Sequence, residues 1–122
     1  MIACHMTPTV LIVDDDANFR RLARRILSSS GVEVINEAAS VGAARVAVGE
    51  LRPDAMLLDV WLPDGNGIEL ARELGELERT PRIVLTSTDT CIVGDDLDGG
   101  VVFVAKEDLP TMPLLRLLQP GT

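Results

Sequence analysis

Four short runs of consecutive apolar residues punctuate the chain, and each gives way to polar residues. Val10-Leu11-Ile12-Val13 stops at three aspartates, Ala55-Met56-Leu57-Leu58 at Asp59, Ile83-Val84-Leu85 at Thr86-Ser87-Thr88, and Val101-Val102-Phe103-Val104 just before Lys106. Unbroken runs of this length suit strands buried on both faces of a sheet. A weaker strand pattern, Val32 and Val34 followed by polar positions, covers Val32 to Ala38. Helical spacing fills the gaps. Phe19, Leu22, Ala23, Ile26 and Leu27 form one stripe, with Arg20, Arg21, Arg24 and Arg25 on the other side, read as a solvated face. Asp16 suits the N-cap of this helix and Gly31 a left-handed stop. Val41, Ala44, Val48 and Leu51 line a second helix, which Arg52-Pro53-Asp54 breaks. The turn-rich Pro63-Asp64-Gly65-Asn66-Gly67 leads into a third helix over Ile68 to Leu77. Gly94, Asp95, Asp96, Asp98, Gly99 and Gly100 leave room only for a short or irregular fourth helix in 89–100. Pro110 and Pro113 fit the first turn of a fifth helix carrying Leu114, Leu115, Leu117 and Leu118.

Strands alternating with helices predict an α/β fold: one doubly wound, five-stranded parallel sheet in the order 2-1-3-4-5, flanked by about five helices with right-handed crossovers. The 122 residues fit one domain over 8–119, preceded by a disordered or expression-derived segment 1–7 and followed by a tail, 120–122. Trp61, Phe19 and Phe103 are the only aromatics, so the core must rest on aliphatic side chains. The net charge of −8 argues against direct contact with nucleic acid, because phosphate backbones would repel it. No apolar run approaches the roughly 18–20 residues of a membrane span, and Met1 to Pro8 lacks the pattern of a signal peptide. Cys4 and Cys91 read as two free thiols, and a cytoplasmic location is expected. His5, the only histidine, leaves no Cys/His metal centre to build.

The chemistry lies in what stands at the strand ends. Asp14 and Asp15 follow the first strand, Asp59 the third, Thr86 the fourth and Lys106 the fifth. Open parallel sheets form ligand sites at this edge, where the strand order reverses. Three carboxylates in one crevice repel one another, and a divalent cation relieves the repulsion. An oxygen-only donor set favours Mg²⁺, or Mn²⁺, over Zn²⁺. A carboxylate can also attack phosphorus to form an acyl phosphate, with Thr86 and Lys106 available to its oxygens.

Val13-Asp14-Asp15, Asp59 with Leu62-Pro63-Asp64-Gly65 and Gly67, Thr86-Ser87 and Lys106 resemble the signature of response-regulator receiver domains, in order and spacing, over about residues 8–119. The resemblance implies a phosphorylation switch of two-component signalling rather than an enzyme acting on other molecules. Asp59 would accept the phosphoryl group, and Asp14, Asp15, Asp59 and the Trp61 carbonyl would bind Mg²⁺, Asp14 largely through a bound water. Thr86, Ser87 and Lys106 would contact the phosphoryl group, and Thr86 and Phe103 would move as it forms. The donor would be a phosphohistidine on a sensor histidine kinase or a phosphotransfer protein. The output, including any homodimer, would use the face of the fourth helix, fifth strand and fifth helix. Two positions depart from the common pattern: Phe103 stands where a tyrosine is frequent, and Glu107 where a proline often follows the lysine.

Each residue taken alone has a plainer reading. Asp14-Asp15 could cap a helix, Asp59 and Thr86 could sit in turns, and Lys106 could be solvated; together, each at a strand end, they point to one site. Trp61 is either a surface aromatic or a screen over the acyl phosphate. Asp95, Asp96 and Asp98 lack the glycine and closing glutamate of a Ca²⁺ loop. The competing functions are a binding module of the same fold that needs no phosphorylation, and a Mg²⁺-dependent phosphohydrolase. Asp59-Val60-Trp61 lacks the second aspartate typical of the latter.

Overall fold

The computed structural model describes residues 8–88 and 101–107. Within them the chain runs β1 (Thr9–Val13), α1 (Ala17–Ser29), β2 (Glu33–Ala38), α2 (Val41–Leu51), β3 (Ala55–Asp59), β4 (Trp61–Leu62), β5 (Gly65–Asn66), α3 (Gly67–Leu74), β6 (Arg82–Ser87) and β7 (Val101–Ala105). The main sheet is parallel with the order β2-β1-β3-β6-β7, which is the expected 2-1-3-4-5 once the small β4–β5 pair is set aside. The expected fourth and fifth helices fall outside the described residues, as do segments 1–7 and 120–122. No helix among the described residues is long and apolar enough to cross a membrane.

Each central strand is buried on both faces because its side chains alternate between two cores. Val10 and Ile12 of β1, Ala55 and Leu57 of β3 and Val84 of β6 pack with Phe19, Ala23 and Leu27 of α1. Leu11 and Val13, Met56 and Leu58, and Ile83 and Leu85 pack on the other side with α2 and α3. Strand β2, at the edge, slips by one residue against β1: Val10 faces Val34, but Leu11 faces Asn36. After this bulge Glu37 pairs with Ile12 and Ala38 with Val13, so Glu37 lies on the α1 side of the sheet.

Helix ends follow local chemistry. Asp16 caps α1, accepting from the amides of Asn18 and Phe19. Its C-terminus closes through Gly31, at φ 88°, with Gly31 N donating to Ser28 O and Val32 N to Leu27 O. Val32 is used in that closure, and β2 starts one residue later than expected, at Glu33. Helix α3 spans Gly67–Leu74 and not Ile68 to Leu77: the Gly75 amide caps it onto Ala71 O and Arg72 O, and Leu77 is exposed. Leu22 and Leu51, expected on apolar faces, are exposed too, while Ala23 and Ala47 of the same helices are buried in the two cores.

The arginine stripe of α1 is not merely solvated. Arg20 Nε lies 2.9 Å from Glu37 Oε1, and Arg24 Nε lies 2.6 Å from Glu37 Oε2. The two guanidiniums, Arg24 foremost, hold the Glu37 carboxyl below its ordinary range.

Candidate functional site at the C-terminal sheet edge

Register brings the strand ends together. Asp59 is paired with Thr86 across β3 and β6, and the next amide, Val60 N, donates to Thr86 O at 2.9 Å. Across β1, Asp14 follows Val13, which is opposite Leu58, and its amide donates to Ala38 O at 2.9 Å. Each of Asp14, Asp15 and Asp59 offers a carboxylate oxygen within 4.8 Å of the others; Asp14 and Asp59 are buried and Asp15 is exposed. This all-oxygen set, converging from two strands, fits a hard divalent cation in both donor type and spacing.

Lys106 reaches into the cluster just past the end of β7. Its Nζ lies 2.7 Å from Asp14 Oδ2 and 3.6 Å from Asp59 Oδ2. Asp14 Oδ1 accepts from Asp16 N at 2.9 Å, while Oδ2 has only this ammonium as partner among the described residues. Asp59 is less well served, since Oδ1 accepts one long bond, 3.4 Å, from Trp61 N. Burial, reinforced by the charge of Asp14, pushes the Asp59 carboxyl up to about 6; Lys106 and the Trp61 amide pull the other way without balancing it. Burial by itself would lower Lys106, but the two carboxylates beside it outweigh that and raise its ammonium above the ordinary value.

Thr86 Oγ1 is buried and has no hydrogen-bond partner among the described residues. A buried hydroxyl without a partner costs free energy, which leaves this one able to donate to a group that enters the site. Ser87 follows it, also buried. Trp61 is half-exposed on the short β4 strand, its amide turned to Asp59. Phe103 pairs in register with Leu85 and packs, partly buried, on the face opposite α1.

Several contributors were not visible in the sequence patterns. Phe19, read there as core, also lies under the lysine, with Nζ 4.5 Å from the ring centroid. Arg20 Nη1 donates to the carbonyl of Asp14 at 2.7 Å. The β4–β5 hairpin beyond Asp59 is pinned to α2 by Asp64, whose carboxylate accepts from Val41 N at 2.7 Å and Gly42 N at 3.0 Å. Those two amides keep the Asp64 carboxyl below the usual range. Gly67, noted as part of the motif, has a steric reason: a Cβ there would meet the carbonyl oxygen of Asp59, and its amide donates to Val60 O at 2.7 Å.

Comparison with known proteins agrees with this geometry. The family profile described as "Response regulator receiver domain" matches residues 10–106. The DNA-binding transcriptional activator DevR/DosR of Mycobacterium tuberculosis is 40% identical over 116 residues, covering 90% of this chain and 52% of that protein. A protein-glutamate methylesterase/protein-glutamine glutaminase of Hahella chejuensis is 33% identical over 109 residues, 85% of this chain and 31% of that protein. Among solved structures, the signal receiver domain of the putative response regulator NarL from M. tuberculosis superposes with a TM-score of 0.78 at 31% identity, covering 88% of this chain and 90% of that one. The chain thus spans about half or less of these two longer relatives but nearly all of the isolated receiver domain. It belongs to the response-regulator receiver family of two-component signalling, whose general function is to accept a phosphoryl group.

Proposed function

We propose that Asp59 is the phospho-acceptor and that this receiver, over about residues 8–119, switches conformation when Asp59 is phosphorylated. One observation carries the reading: the Asp59 carboxylate is buried beside Asp14, Asp15 and Lys106 with its own hydrogen bonding incomplete. Asp14, Asp15, Asp59 and the Trp61 backbone carbonyl would hold Mg²⁺, or Mn²⁺. When bound, that cation neutralises charge shared between the carboxylates and the incoming phosphoryl oxygens.

The donor is a phosphohistidine of a sensor histidine kinase or phosphotransfer protein. An Asp59 oxygen forms the bond to phosphorus as the phosphorus–nitrogen bond breaks; the imidazole keeps the electron pair. Lys106, already at the rim of both carboxylates, pairs with a phosphoryl oxygen, and the Thr86 hydroxyl, unpartnered among the described residues, donates to another. The Ser87 backbone amide lies next in line. As Thr86 closes on the phosphoryl group, the neighbouring β7 strand and Phe103 repack, carrying the change toward the output face. The chain acts as a cytoplasmic signalling switch and catalyses only its own phosphorylation and dephosphorylation.

The test is incubation with Mg²⁺ and a small-molecule phosphodonor, or with a beryllofluoride mimic, read by intact mass and thermal shift. The native chain should gain one phosphoryl group and be stabilised by Mg²⁺ with the mimic; Asp59→Asn should do neither. A native chain with no adduct and no Mg²⁺-dependent stabilisation overturns the proposal.

A further inference from the structure

We infer that Arg20 is a positioning residue of the acidic site: anchored on Glu37, its guanidinium holds the carbonyl of Asp14 and so fixes the turn that aims Asp14 and Asp15 at Asp59. The inference rests on the metal-binding reading above and concerns a residue that touches neither metal nor phosphoryl group.

The turn after β1 is held at the Asp14 side chain by Lys106 and beyond Asp14 by the Asp16 cap of α1, and neither of these reaches the Asp14 carbonyl. Asp14 lies past the last strand residue, Val13, and precedes the first helical residue, Ala17, so its carbonyl belongs to neither ladder nor helix. Its amide is tied to Ala38 O and its Oδ1 to Asp16 N, which leaves the carbonyl as the remaining backbone anchor. Arg20 Nη1 supplies that anchor at 2.7 Å. Were the carbonyl free to rotate, the peptide plane between Asp14 and Asp15 would turn with it. Both carboxylates would then swing relative to Asp59, whose place on β3 is fixed by pairing with Thr86.

The guanidinium is itself braced. Arg20 Nε donates to Glu37 Oε1 at 2.9 Å, so two donors of one planar group are engaged in two directions. Glu37 is available only because of the β2 bulge. Without the slip between Val10 and Leu11, strand alternation would turn Glu37 away from the α1 face that Val34 shares. A one-residue irregularity at the edge of the sheet thus places the counter-ion that steadies the metal-side turn. Arg24 gives an internal control. It binds the other oxygen of the same glutamate, at 2.6 Å, but has no contact with Asp14 among the described residues.

The chain's single tryptophan, Trp61, has its amide on Asp59 and is the fluorescence probe for Mg²⁺ binding, with calorimetry alongside it as a probe-free measure. Mg²⁺ is titrated into the native chain and into Arg20→Gln, Glu37→Gln, Arg20→Lys and Arg24→Gln, alongside amide hydrogen exchange without metal. Arg20→Gln and Glu37→Gln should bind Mg²⁺ about tenfold more weakly, the scale of lost outer contacts at metal sites. Arg20→Lys should not restore binding, because an ammonium cannot span both acceptors. Arg24→Gln should lose thermal stability yet bind Mg²⁺ as the native chain does. Exchange at the Asp16 amide, which is bonded to Asp14, should quicken in Arg20→Gln and stay unchanged in Arg24→Gln. Native-like Mg²⁺ affinity in a folded Arg20→Gln or Glu37→Gln, or equal weakening in Arg24→Gln, overturns the inference. If the native chain itself fails to bind Mg²⁺, the proposed function fails. The Asp16 exchange rate then decides this inference separately: no difference between the Arg20 and Arg24 variants rejects it.

Discussion

Strand β3 is bracketed by two aspartates, and the sheet treats them in opposite ways. Asp54, just before the strand, accepts from the Thr9 amide at 2.9 Å and hydroxyl at 3.1 Å and from Arg79 at 2.9 Å. Its backbone amide donates back to Thr9 Oγ1, and its carbonyl accepts from Arg82 N. It ties together the beginnings of β1, β3 and β6. Asp59, at the other end of the strand, has one long amide contact, a lysine at 3.6 Å and a like charge beside it. A carboxylate whose oxygens are already taken can only hold structure. One that is buried and short of partners gains from anything cationic or phosphoryl that comes within reach. The same residue type on one strand is thus a rivet at one edge and a receptor at the other.

The sharpest way to break this contrast is to remove the lysine. Lys106→Met leaves the buried Asp14 and Asp59 carboxylates without the ammonium that pairs with both, and urea unfolding without metal should show a loss of about 3 kcal/mol. Mg²⁺ should recover much of it; a loss indifferent to Mg²⁺ would show that the ammonium does not stand in for a cation there. Next is Asp54→Ala, which should cost about 2 kcal/mol by removing the acceptor of the part-buried Thr9 amide and hydroxyl. Its Mg²⁺ affinity should stay within about twofold of native, and a larger change would mean that the two edges are coupled.

Asp59→Asn should do the reverse and stabilise the metal-free chain by about 1–2 kcal/mol near pH 7.5. The folded-state value is raised from 3.8 to about 6, so the ionised native state is penalised above about 6 and relieved as it takes up a proton below. The advantage of the asparagine should therefore shrink as pH falls from 6 towards 4; an advantage constant with pH would assign it to packing. The smallest effect concerns Phe19. A double-mutant cycle of Phe19→Leu with Lys106→Met should give a coupling of about 0.5–1 kcal/mol, and additivity would remove the ring from the site.

How much of this was legible depended on the range of each signal. The apolar runs that became β1, β3 and β6 mark themselves, because a strand covered on both faces has no polar positions. Their terminal residues Asp14, Asp59 and Thr86 could then be assembled from topology alone. The β4–β5 pair was not, since two residues per strand leave no period to detect. Periodicity assigned Phe19 to the core and Arg20 to solvent, which is right for their faces and silent about how far α1 lies along the sheet. That axial offset puts one beneath Lys106 and the other against Asp14. Glu37 was hidden for a further reason: a bulge inverts the face of every residue after it, and strand alternation read from sequence assumes none.

Gly67 has one more consequence. A β-carbon there would overlap the Asp59 carbonyl oxygen, a backbone atom with nowhere to retreat because the next residue is bonded to both Thr86 and Gly67 itself. In a genetic screen this position should score with the acidic residues, although a substitution there removes no functional group. The lesion would be an added methyl group displacing the acceptor's own peptide, and reversion should come from restoring glycine rather than from any compensating charge.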